Sequence, residues 1–178
     1  MDVDVVADYM ILKGDKPNGE PLTQLGLQKL VYLCQGWHLA LTDEILFSED
    51  IYAYKHGPVV KELRQRFRFC ADGPLPQTTL YDAEHVLSSG TRHIIDTVWS
   101  RYARMPTSGL VNLTHKPGSP WSQIWENTAP EDRDHLLIPV DIIRNYFKAE
   151  LAEKLKPKPK TTRARNLAAA FEQIPAEA

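Results

Sequence analysis

Between Leu22 and Leu41 the chain reads LTQLGLQKLVYLCQGWHLAL, and this stretch restricts the possible folds more than any other. Leu27, Leu30, Val31, Cys34, Trp37 and Leu41 recur at the three-and-four spacing of an α-helix. Leu25, Leu33, Gly36 and Ala40 fill part of the opposite side, so polar residues are confined to a narrow strip of Gln24, Gln28, Lys29, Gln35 and His38. A helix apolar on nearly every side is buried by several neighbours at once. Thr23 sits at the N-cap position, where its hydroxyl can accept from the free amides of the first turn. Gly26 and Gly36 each lower helix propensity by about 1 kcal/mol relative to Ala, and the expectation is that they let other backbone segments approach closely. The fold class that follows is mainly α with a small β part (α+β): a compact helical domain built around one buried central helix.

The flanking segments fit that plan. Residues 2–13 place Val3, Val6, Tyr9, Met10 and Lys13 on one helical face, with acidic residues near the positive end of the helix dipole. KPNGEP at 16–21 is a loop. Alternation of Ile51, Ala53 and Lys55 with Tyr52 and Tyr54 predicts a short strand, and residues 135–139 predict a second that could pair with it in a two-stranded element. His56–Gly57–Pro58 is a sharp turn, and Pro58 is read as opening a helix over 58–69. Further helices are expected after Ser88, after Pro106, around Trp125 and over 141–148. All four tryptophans, Trp37, Trp99, Trp121 and Trp125, read as core. The folded domain is placed at 1–150. Beyond it, residues 151–178 form a basic tail whose KPKPK run favours extended chain. Leu167, Ala170, Phe171 and Ile174 have the spacing of a short amphipathic helix, which could dock on a partner or on its own domain.

Composition limits the chemistry. A length of 178 residues suits one domain plus a tail, and hydrophobic and charged fractions of 43% and 25% are ordinary for a globular protein. A formal charge of −2 gives no global case for nucleic acid or membrane. Cys34 and Cys70 fit neither a metal motif nor a disulfide framework, and read as buried thiols of a reducing, cytoplasmic setting. Cys34 and His38 have a spacing that could place two ligands on one helix face, but no second pair completes a zinc site. His56 reads as a hydrogen-bonded structural residue, and His115 as a helix-terminal histidine favoured at the dipole's negative end. No catalytic residue, cofactor or metal site is proposed by any local motif. Lys55, Lys61, Arg64, Arg66 and Arg68 give the densest basic cluster of the domain, either a solvated helix face or a surface for an anionic partner.

The succession LGLQKLVYLCQGWHLAL (25–41), IYAYKHGPVVKEL (51–63), IIDTVWSRY (94–102), LTHKPGSPW (113–121) and IIRNYF (142–147) resembles the Panacea domain, the SocA/GepA-like group of phage-associated proteins. The resemblance runs over about residues 5–150, with Tyr54 standing where a tryptophan is more usual and the tail lying outside it. It implies an antitoxin that neutralises a cognate protein toxin by direct contact. It also suggests an adaptor that delivers the toxin to a Clp-type AAA+ protease. The composition and position of the tail, outside the resemblance, suit a tether to the protease or the toxin. Partner contacts are expected at Tyr54, His56, Lys61, Arg64 and Arg68, and in the tail at Lys158, Lys160 and Phe171. Two other readings stay open, a nucleic-acid-binding transcriptional regulator and a small-molecule enzyme. The near-neutral charge balance argues against the first.

Overall fold

A computed structural model describes residues 1–156. The central helix is α2, Gln24–Thr42. Thr23 Oγ1 accepts from the Gly26 amide at 3.2 Å, so the cap forms as expected. Asp43, in the left-handed region at φ 65°, ends it. Before it lies α1, Val3–Ile11, whose Asp2 side chain accepts from the Asp4 amide. After it the chain runs through β1 (Ile51–Tyr54), β2 (Gly57–Val60), α3 (Lys61–Arg66), α4 (Ala83–Val86), α5 (Ser89–Tyr102), α6 (Thr107–Thr114), α7 (Pro120–Trp125), β3 (Leu136–Leu137) and α8 (Val140–Leu155). Helix α8 thus continues through the position where the composition begins to shift.

The mainly helical α+β class holds, with one addition. The sheet has three antiparallel strands in the order β2-β1-β3, not two. Both expected strands pair, Tyr52 with Leu137 and Ala53 with Leu136. The extra strand is β2, because Pro58 does not open a helix but pairs with Ala53. Proline's missing amide suits a helix start and an edge strand equally. Here Gly57, at φ +101°, turns the chain back at once, and the β-branched Val59 and Val60 continue it in extended form. The helix expected over 58–69 is therefore reduced to α3, followed by a single 3-10 turn at Arg68–Cys70.

Helix α2 lies in the middle, packed against α8, α5, α6 and β2. Leu27, Leu30, Val31, Cys34 and Leu39 are fully buried. Complete burial of one such aliphatic side chain contributes about 1.5–3 kcal/mol. Gly36 does permit close approach, but of a side chain: the Phe147 ring of α8 lies 2.2 Å from where a Cβ would stand. At Gly26 the nearest atom to such a Cβ, Thr107 Oγ1, is at an ordinary 3.5 Å, so no close approach is served there. Of the tryptophans only Trp121 is buried, while Trp37, Trp99 and Trp125 pack against the core half-covered. Cys34 is buried, and burial pushes its thiol well above the usual range; Cys70 is half-buried.

A carboxylate clamp ties the start of the described fold to its middle. Asp8 has no exposed surface; one oxygen meets Arg66 Nη2 and the other accepts from the Leu80 and Tyr81 amides at 2.7 and 2.8 Å. Arg66 also bonds Asp4 at 2.9 Å. A buried charge is tolerable only when paired and hydrogen-bonded in this way.

Candidate partner-binding surface

The polar strip of α2 holds the strands in place. Gln28 is buried, its Oε1 accepting from the Val60 amide at 2.8 Å and its Nε2 donating to the Val60 carbonyl at 3.0 Å. It completes the edge of β2 as a neighbouring strand would. Gln35 does the same for the chain before β1, accepting from the Leu46 amide at 2.8 Å and donating to the Phe47 carbonyl at 3.2 Å. His38 Nδ1 lies 2.9 Å from the Glu44 carbonyl oxygen and 3.1 Å from Thr42 Oγ1, a structural role that leaves the Cys34–His38 spacing without a ligand function. Unpaired backbone groups in a covered position cost enough that side chains are recruited to meet them.

Lys29 is the unusual member. Its side chain is fully buried and its Nζ donates to the Pro58 carbonyl at 2.8 Å. Desolvation pushes its ammonium pKa down to about 7. A Cβ on Gly57 would stand 2.8 Å from both Lys29 Nζ and Thr114 Oγ1, so glycine is required at this turn by space as well as by φ. His115 caps α6 and stacks on Trp121 with centroids 3.7 Å apart. Its pKa is lowered, by burial first and then by repulsion from Lys29 and His56, so the expected gain at the helix dipole is outweighed. Trp121 Nε1 in turn donates to the Tyr54 carbonyl at 2.7 Å. The hairpin is fastened from beneath by Gln28, Lys29 and Trp121.

What this foundation presents outward is aromatic and basic. Tyr52 and Tyr54 share the outer face of β1, since side chains two apart on a strand point the same way. Lys61 Nζ sits 3.5 Å from the Tyr52 ring centroid, and the Arg64 guanidinium 5.5 Å from that of Tyr54. Leu137 of β3, 45% exposed, lies opposite Tyr52 on the same face. The His135 ring nitrogen Nδ1 is 2.7 Å from Lys61 Nζ. Beside the hairpin a concavity of about 260 Å³ is lined by Tyr54, His56, Arg64, Gln24 and Leu25 among others.

The structure therefore brings Tyr54, His56 and Arg64 together around one hollow, with Lys61 on the adjoining sheet face. His56 is exposed and has no hydrogen-bond partner among the described residues, which corrects its reading as a hydrogen-bonded structural residue. Arg68 is set apart beyond the end of α3, its guanidinium 4.5 Å from the centroid of the exposed Phe69 ring. Lys158, Lys160 and Phe171 lie outside the described residues. Arg66 leaves the basic cluster, neutralised by Asp4 and Asp8. Among the described residues none of Lys55, Lys61, Arg64 and Arg68 has a carboxylate within 4.0 Å. Tyr52 was signalled by the alternation along β1; His135, 74 residues from Lys61, carried no such signal.

Among the described residues no group of three His, Cys, Asp or Glu side chains is arranged to hold a metal ion, and no helix is long and apolar enough to cross a membrane. The family model described as "Antitoxin SocA-like, Panacea domain" matches residues 27–122, more than half of the chain. The match takes in the central helix, the hairpin, α3 and the His115–Trp121 stack. No curated protein and no solved structure matches.

Proposed function

The chain belongs to the SocA-like Panacea antitoxin family, and on that premise we propose that it neutralises a cognate protein toxin by binding it directly in the cytoplasm. The observation that carries the reading is the family match across the α2–hairpin unit. The contact surface in this proposal is the outer face of β1 with α3: Tyr52, Tyr54, His56, Lys61 and Arg64. Arg and aromatic side chains dominate interface hot spots, and these are held on a fastened scaffold, so little ordering is needed on binding. In its finer form the proposal makes the chain an adaptor that passes the toxin to a Clp-type AAA+ protease, residues 151–178 serving as tether by raising effective concentration.

The test is purification of the tagged full chain from its native host at moderate salt. One small protein is expected in roughly equal amount, toxic when expressed alone and harmless when the full chain is co-expressed. A chain that co-purifies with nothing and rescues no such protein would remove the antitoxin reading. With the toxin in hand, the double substitution Lys61→Glu and Arg64→Glu is expected to weaken the complex at least tenfold with little change in stability. An unaltered affinity would move the contact surface elsewhere while leaving the antitoxin reading intact. A toxin half-life that is the same with and without the protease would exclude the adaptor form.

A further inference from the structure

On the side of the molecule formed by the end of α2, α5 and the last turns of α8, a groove of about 370 Å³ remains open. Its walls include Trp37 and Leu41 from α2, Ile94 and Val98 from α5, and Leu151 from α8. Leu41 is 55% exposed, and Trp37, although its Nε1 donates to Tyr102 Oη at 3.1 Å, stays half-covered. The charged residues lining the groove are Arg101 and Lys154; Lys154 is paired with Glu150 at 3.5 Å, whereas Arg101 has no carboxylate within 4.0 Å among the described residues. An apolar trough with one open guanidinium at its rim calls for a chiefly apolar occupant.

We propose that this groove seats the chain's own residues 164–174. Three observations support that occupant. First, α8 ends at Leu155, and Leu151 and Lys154 of its final turns already line the groove, so the chain leaves the described domain at the groove's mouth. Second, residues 157–163 are seven in number and can span at most about 25 Å, enough to turn the chain back without drawing residues 164–174 away. Third, Leu167, Ala170, Phe171 and Ile174 would supply, as a helix, one apolar face about 11 Å long; Glu172 beside Phe171 would meet Arg101, and Arg165 leaves the segment without net charge. A helix of eleven residues is marginal in water and gains its stability from the surface it covers. The short connection supplies an effective concentration in the millimolar range, so weak apolar contacts suffice. Seated in this way, Phe171 is withheld from any other partner until it is displaced.

Amide hydrogen exchange of the full chain tests this, compared with Phe171→Asp and with Thr97→Arg. Thr97 is an exposed α5 residue lining the groove, so the arginine obstructs the trough without entering the core. In the wild-type chain the amides of 167–174 are expected to exchange at least tenfold more slowly than an unstructured peptide of the same sequence. Both substitutions are expected to abolish that protection, and Phe171→Asp to speed exchange at 37–41 and 94–101 as well. Unprotected amides at 167–174 in the wild type would overturn the proposal. Protection that survives Thr97→Arg would overturn it too, by placing the segment elsewhere. Protection that appears only as protein concentration rises would assign the groove to a second copy of the chain and would likewise overturn it.

Discussion

The central helix is gripped in two ways, and the contrast between them explains much of the fold. Toward the extended chain at 46–47 and 57–60 it uses polar side chains, with Gln28, Lys29 and Gln35 each bonded to backbone groups. Toward α8 the contact is steric. Phe147 fills the space above Gly36 and meets Tyr32 and Trp37 edge-on, with centroids 5.7 and 5.3 Å away and interplanar angles of 70° and 81°. A helix satisfies its own backbone, so two helices need only fit each other. An edge strand carries amides and carbonyls with no partner of their own, and whatever covers them must supply hydrogen bonds. The same helix meets both requirements on different faces.

Either grip can be disrupted by a single substitution. Gln28→Leu retains bulk but leaves the Val60 amide buried without its acceptor and takes one donor from the Val60 carbonyl. The expected loss is about 2–4 kcal/mol, read as a lower urea midpoint with an unchanged slope. A loss below about 0.5 kcal/mol would show that the polar grip is incidental. On the steric side, Gly36→Ala drives a methyl group into the Phe147 ring and is expected to cost about 1–3 kcal/mol despite its better helix propensity. Gly26→Ala, with ordinary contacts, should be neutral or stabilising by up to about 1 kcal/mol. Equal outcomes at the two glycines would remove the steric argument.

Lys29 makes the polar grip pH-dependent. Its pKa is about 7 in the fold and about 10.4 in an unfolded chain. Between those values the unfolded state holds the extra proton, so stability rises with pH across this window and the full penalty applies below about 7. Lys29→Met removes that titration. Its stability relative to wild type should therefore fall steadily as pH is raised from about 7 to about 10, followed by urea unfolding at several pH values. A difference that does not change with pH would mean the ammonium is not penalised by its burial.

The helical plan was legible because it depends on local signals: the three-and-four spacing of α2, the Thr23 cap, the Ser88 cap of α5 and the prolines before α6 and α7. The strand at Gly57–Val60 was not, since Pro58 satisfies the requirements of a helix start and of an edge strand alike. The decision rests on pairing with β1 and on a glycine at positive φ. Burial of Gln28, Lys29 and Gln35 was hidden for a related reason. Their partners are backbone atoms, which no side-chain pattern announces. Tyr54, His56 and Arg64 were recoverable as one surface because they lie close together along the chain, whereas His135 reaches Lys61 only through β3.

The Asp8 clamp also has a consequence for the order of events during synthesis. The residues of α1 are made before their partners, since Arg66 lies 58 residues further along and the Tyr81 amide 73. At about 5–20 residues per second, Asp8 waits about 4–15 s before its last donor has even been polymerised. Through that interval α1 can meet, of the helices it packs against, only α2 and α3, and its Asp8 carboxylate stays without its full set of donors. Closure of the clamp marks the moment at which α1 joins the rest of the domain.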